Sequence, residues 1–167
     1  GKDKFNWHLM NKGDIFFQDA TNLNKIDDNK YDFVISSNVL EHIANPLKAL
    51  NEFKRVIKKN GFIAIIVPYY KYTFDFKRPV TTIEHIREDF INSVGEDDLT
   101  HLKEVVELTD EGDPDHNAQV NPNFNKKEFE EYCKDNFNNR VMHHHVYDVD
   151  LLKSVANEAN LKVLDLN

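Results

Sequence analysis

The sequence predicts an α/β protein on three observations: an almost wholly apolar run at 62–67 (FIAIIV), a β-branched run at 31–36 (YDFVIS), and an amphipathic helical pattern between them that Pro46 opens. Continuous apolar runs mark strands covered on both faces of a parallel sheet. A strand, helix and strand joined through a short Gly turn form a right-handed crossover unit. A chain of 167 residues, 40% hydrophobic and 11% aromatic, is long enough for one domain with a real core.

Each element has its own signal. Residues 14–18 (DIFFQ), bounded by Gly13, predict a buried strand with Asp19 at its carboxyl end. The strand at 31–36 ends at Ser37 and Asn38, and a short helical turn follows over 39–43. The Pro46 helix sets Leu47, Leu50, Phe53, Val56 and Ile57 on one face and Lys48, Glu52, Lys54 and Lys58 on the other, and Asn60-Gly61 ends it. From Tyr69 the pattern changes to a helical insertion or lid over 69–140, with helical stretches at 81–94, 97–108 and 126–138. Thr81 or Thr82 caps the first stretch, and Glu84 completes a capping box. Residues 110–125 are the most loop-like and predict a mobile lid; the acidic stretches 96–98 and 110–115 read as solvated loops or helix starts. Asp148 caps a last helix carrying Leu151, Leu152, Val155 and Ala159, and 161–166 (LKVLDL) predicts a final strand. Residues 1–68 and 141–167 then form the sheet-bearing core.

Composition narrows the function. With 21 Lys and Arg against 29 Asp and Glu, the formal charge is −8, which argues against binding the phosphate backbone of a nucleic acid. The lone Cys133 supplies neither an internal disulfide nor a thiolate zinc cluster, and fits a reducing, cytoplasmic location. The longest apolar run is far short of the roughly 20 residues that span a bilayer, and the N-terminal residues lack the apolar stretch of a signal peptide. No membrane association is expected.

In an open α/β sheet, ligands bind beyond the carboxyl ends of the strands. That selects Asp19, then residues 36–42 and 68–75. An Asp19 carboxylate and the Ala20 backbone N–H can read the amine and ring nitrogen of adenine; equally, Asp19 caps the turn beginning at Thr21. His42, His85 and His144 are candidate general bases, since imidazole titrates near neutral pH, against the reading that each is a hydrogen-bonded structural residue. His143, His144 and His145 could join His42, His85, Glu41 and Asp75 around a metal, but neighbours on an extended segment face opposite ways, so at most His143 and His145 share a side. No metal ligand is assigned. Tyr69, Tyr70, Tyr72, Phe74 and Phe76 either seat the insertion or stack on an acceptor. Arg78 beside Asp75 is either a surface ion pair or a clamp on an anionic acceptor.

The runs GDIFFQDATNL and YDFVISSNVLEHIANPLKALNEFKRVIKKNGFIAIIVP resemble the class I S-adenosylmethionine-dependent methyltransferases, in particular the type 11-like small-molecule group. TFDFKRPVTTIEHIREDF and HHHVYDVDLLKSVANEANLKVLDL are similar to members of that group as well. The resemblance implies a Rossmann-like sheet and S-adenosylmethionine as cofactor. It also implies adenine recognition by Asp19 and Ala20, with Ser37 and Asn38 lining the methionine side and His42 near the methyl or acceptor. The implied activity is methyl transfer to a small molecule, an oxygen of a sugar or other metabolite. The family's glycine-rich loop and the acidic residue that holds the ribose have no counterpart, and the segment at 14–18 corresponds to the family's third strand, two strands away from the one at 31–36. The sheet is therefore expected to be incomplete. The chain is expected to be truncated, rearranged, or half of a domain-swapped homodimer, because unpaired strand edges seek partners. A non-catalytic interaction or dimerisation module of the same fold is the alternative. Nucleic-acid methylation is not expected, since Ser37-Asn38-Val39-Leu40 stands where an Asn-Pro-Pro-aromatic motif would be.

Overall fold

The computed structural model describes residues 3–7, 11–109 and 125–166, with side chains from residue 14 onward. Two strands, β1 (Asp3–Trp7) and β2 (Asn11–Ile15), form an antiparallel hairpin of their own. The expected strand at 14–18 is thus displaced toward the N-terminus: its ladder closes at the pair Asp3↔Ile15, Phe16 to Gln18 leave it, and Phe17 stands 73% exposed. A strand needs a neighbouring backbone, and among the described residues none pairs with that stretch.

The second sheet is the parallel pair β3 (Tyr31–Ser37) and β4 (Ile57–Ile66), joined by α1 (Pro46–Val56). Asn45 caps α1 by accepting the Lys48 N–H at 3.1 Å, and Pro46 occupies the first turn, where a missing N–H costs nothing. The helix ends at Val56 rather than at Asn60-Gly61, because Ile57 already pairs with Tyr31. Between Tyr31↔Ile57 and Phe33↔Phe62 the register slips, so residues 58–61 bulge opposite Asp32. Gly61 permits this: a Cβ there would lie 2.6 Å from the Asp32 carbonyl oxygen.

One face of this sheet is covered and the other is bare. Val34, Ile63 and Ile65 pack against a core of Leu47, Leu50 and Phe53 from α1, Ile86 from α2 (Ile83–Ile91), and Leu151 and Val155 from α6 (Val149–Glu158). The alternate residues Phe33, Ile35, Phe62 and Ile66 are each at least half exposed, with the Phe33 and Phe62 rings stacked at 5.4 Å. A second, smaller cluster joins Val105 of α3 (Leu102–Leu108), Cys133 of α4 (Lys126–Lys134) and Met142. A short helix α5 (Asn136–Asn139) follows α4 and ends at Arg140 in the left-handed region.

Caps follow the sequence with one change. Thr82, not Thr81, caps α2 by accepting the His85 N–H. His85 therefore takes the third helical position, and Glu84 faces Arg87 instead of closing a capping box. Asp148 caps α6 as expected, accepting from Leu151 N–H at 2.7 Å. Residues 161–166 are irregular rather than a strand: Leu161 packs on the core, while Leu164 is 77% exposed and no described strand runs beside it. Of the expected mobile lid at 110–125, Asn125, which caps α4, is described, and the rest lies outside the described residues. The structure is mixed α/β with a two-stranded parallel sheet, consistent with an incomplete Rossmann-like fold.

Candidate functional site

At the carboxyl end of β3, Ser37 and Asn38 are exposed and Ser36 is buried. Asn38 adopts φ 51°, a left-handed conformation that Asn tolerates better than most residues, and its N–H donates to the Ile66 carbonyl at 2.9 Å. This turn directs the chain away from β4 and into the 3₁₀ turn Leu40–His42. Among the described residues the Ser36 hydroxyl has no hydrogen-bond partner.

Asp19 makes the local contacts of a turn cap. Its Oδ1 accepts from the Thr21 N–H at 2.8 Å and the Thr21 hydroxyl at 2.7 Å, while Oδ2 pairs with Arg140 at 2.9 Å. Burial alone would raise the carboxyl, but the Thr21 and Arg140 contacts outweigh it and hold it below the ordinary value. Ala20 is half-buried against the main core.

Behind the strand tips lies a buried layer of histidines and carboxylates. The three candidate bases fall into three different partner sets. His42 donates from Nδ1 to the Met142 carbonyl at 3.3 Å, which leaves the Nε2 lone pair open. Burial, helped by the neighbouring His143, lowers its pKa to about 4, so the ring is neutral at pH 7. Its ring meets His143 edge-on at 4.4 Å, and Glu41, whose carboxyl burial pushes up, completes the group. His85 lies near Asp89, His101 and His145. His144 is fully buried, and its Nε2 accepts from the Asn136 amide at 3.0 Å.

Arg78 and Asp75 form neither of the arrangements expected of them. Their side chains are 1% and 4% exposed, and they pair at 2.8 Å. Arg78 also donates to Glu104 Oε1 and to the His143 carbonyl, so its guanidinium is committed to the protein. Asp75 Oδ2 in turn accepts from His143 Nδ1. Burial would raise this carboxyl too, but the His143 hydrogen bond and charge, with that of Arg78, bring it below its ordinary value. Glu96 was expected in solvent; it is 6% exposed, accepting the Ala44 N–H at 2.9 Å and pairing with Arg140 at 3.1 Å. The aromatic run divides: Tyr69, Tyr70 and Tyr72 pack on one another, and Phe74 lies 4.5 Å from the His143 ring.

Sequence reasoning missed His101, Asp89 and Asn136 as members of this layer. Asp89 carried a signal, four residues after His85 and hence on the same helix face. His101 and Asn136 carried none, since tertiary packing alone brings them in.

Residues 5–65 match the methyltransferase domain family. The matched segment runs from β1 into β4. A 40-residue stretch is 50% identical to an uncharacterized protein of Methanocaldococcus jannaschii, covering 24% of this chain and 17% of that protein. The aligned stretch therefore spans less than a fifth of that relative's length. No solved structure matches. The methyltransferase-like segment contains Asp19, Ala20, Ser37, Asn38, Glu41 and His42, whereas Asp75, His85 and His143 to His145 lie beyond it. Among the described residues no helix is long and apolar enough to cross a membrane.

Proposed function

We propose that the chain takes part in S-adenosylmethionine-dependent methyl transfer to a small-molecule acceptor, an oxygen of a sugar or other metabolite. The observation that carries this reading is the family match over 5–65, whose β3 ends in the exposed pair Ser37 and Asn38. The side chains there suit the cofactor: Ser36 Oγ is an orphaned polar atom at the strand end, and Asp19 retains acceptor capacity beside Arg140 for an adenine amine. S-adenosylmethionine, when bound, supplies the electrophilic methyl group.

The residues of this chain do the rest. Ser37 and Asn38 would hold the methionine end of the cofactor, and Asp19 with the Ala20 N–H would hold its base. The open Nε2 of His42, neutral and fixed by Met142, would take the hydroxyl proton that the acceptor gives up on methylation. His85 and His144 are the other base candidates, and the open lone pair favours His42 over His144. The acceptor and the cytoplasmic location belong to the same proposal; a buried free Cys133 supports a reducing compartment.

Isothermal titration of the 167-residue chain with S-adenosylhomocysteine tests the reading. Micromolar binding that Asn38→Asp weakens supports it, and no binding at all counts against it. A second reading, a non-catalytic homodimerisation module, has one observation in its favour: the bare apolar face of Phe33, Ile35, Phe62 and Ile66. Sedimentation equilibrium separates the two, since a tight dimer blind to S-adenosylhomocysteine fits only the second.

A further inference from the structure

Four groups other than the favoured base His42 converge between α2, the start of α3 and the extended segment 141–147. His85 and Asp89 stand one turn apart on α2, so their side chains project from the same face. His85 Nε2 lies 3.4 Å from Asp89 Oδ2, and His145 Nε2 lies 3.7 Å from the same oxygen. Ligating atoms of His85, Asp89 and His145 all fall within 4.8 Å of one another. His101 precedes α3 and brings its Nε2 to 2.9 Å from that of His85.

Hydrogen bonding among these groups is incomplete. Asp89 is 7% exposed, and among the described residues its buried Oδ2 has no hydrogen-bond partner. His145 is 1% exposed, and among the described residues its Nδ1 is likewise without a partner. A buried carboxylate oxygen left this way is costly, and polar groups in such positions are ordinarily paired or bound to a metal.

We propose that His85, Asp89 and His145 bind one zinc-type divalent cation. Zinc held at about 2.0–2.1 Å by nitrogen and oxygen sets neighbouring ligand atoms about 3.3 Å apart in a tetrahedron. The separations of 3.4 and 3.7 Å lie close to that edge. Imidazole and carboxylate ligands suit zinc and its borderline neighbours, whereas calcium and magnesium prefer all-oxygen sets. His145 Nε2 also faces the Ala44 carbonyl at 3.2 Å; on ligation it exchanges that long contact for the cation, and its proton moves to Nδ1. Three protein ligands tie α2 to the 141–147 segment and leave the fourth position for a small exogenous ligand such as water. It is separate from the Glu41, His42 and His143 group, which shares His42 with the proposed reaction.

The test uses the whole chain, stripped of metal by a chelator and titrated with zinc(II) alone against a chromophoric competitor. One equivalent is expected, with a raised melting temperature. The near-isosteric Asp89→Asn and the truncation His145→Ala are each expected to weaken zinc binding more than about tenfold, and His42→Ala to leave it unchanged. Circular dichroism of each stripped variant verifies folding, and the cobalt(II) spectrum reports tetrahedral coordination independently of stability. Full-affinity binding by folded Asp89→Asn or His145→Ala, or loss of zinc in His42→Ala alone, overturns the proposal.

Discussion

The strand tips and the histidine layer lie side by side and are built in opposite ways. At the tips, Ser37 and Asn38 are exposed, few side-chain bonds form, and one backbone contact at Ile66 sets the turn. In the layer, Asp75, Arg78, His143, His144 and His145 are nearly solvent-free and linked across 65 to 101 residues of sequence. The tips are open to a ligand at small cost to the fold. The layer carries stability, because each of its polar groups forfeits hydration on burial and must be repaid by a partner.

The largest effect should come from breaking the layer. Arg78→Met leaves Asp75 buried without its cation and unties His143; a loss of about 3–5 kcal/mol in urea unfolding is expected. Acid should find the same weak point. The native Asp75 carboxyl lies below its unfolded value of 3.8, so its stabilisation is complete above that pH and fades as the pH falls through the native value. Asp75→Asn removes this acid limb, and parallel melts of the two proteins at falling pH would show curves that converge. Asn38→Ala should cost about 1 kcal/mol for a left-handed residue without the Asn side chain, while Asn38→Gly should not. Ser37→Ala should change stability by less than about 0.5 kcal/mol and, if the tips hold the cofactor, still weaken S-adenosylhomocysteine in the same titration. An unstable Ser37→Ala would blur the contrast between the two regions.

The same contrast explains what the sequence could reveal. The β3–α1–β4 unit was readable because its signals are local: Pro46 and Asn45 at a helix start, an apolar stripe, and the run after Gly61. The Asp148 cap was readable for the same reason. The two strands at 14–18 and 161–166 were misplaced because apolar alternation says that a segment suits a sheet, not that a neighbour exists to pair with it. Within the layer, the sequence supplied the histidines but not their partners. Nothing near Glu96 announces that Ala44 and Arg140 will enclose it, and nothing near Asp75 announces that its charge will be buried.

The segment 141–147 also has a kinetic consequence. His42 meets Met142 across 100 residues, His145 meets Ala44 across 101, and His143 meets Arg78 across 65. Contacts of such separation are rewarded only after a long loop has closed, which slows folding relative to a helix hairpin of the same size. The β3–α1–β4 unit can assemble as soon as its own residues are made, whereas the histidine layer must wait for the last quarter of the chain to thread past it. During synthesis, Asp75, Arg78 and Glu96 therefore spend their first seconds hydrated, and the interior of this protein is the last part of it to become dry.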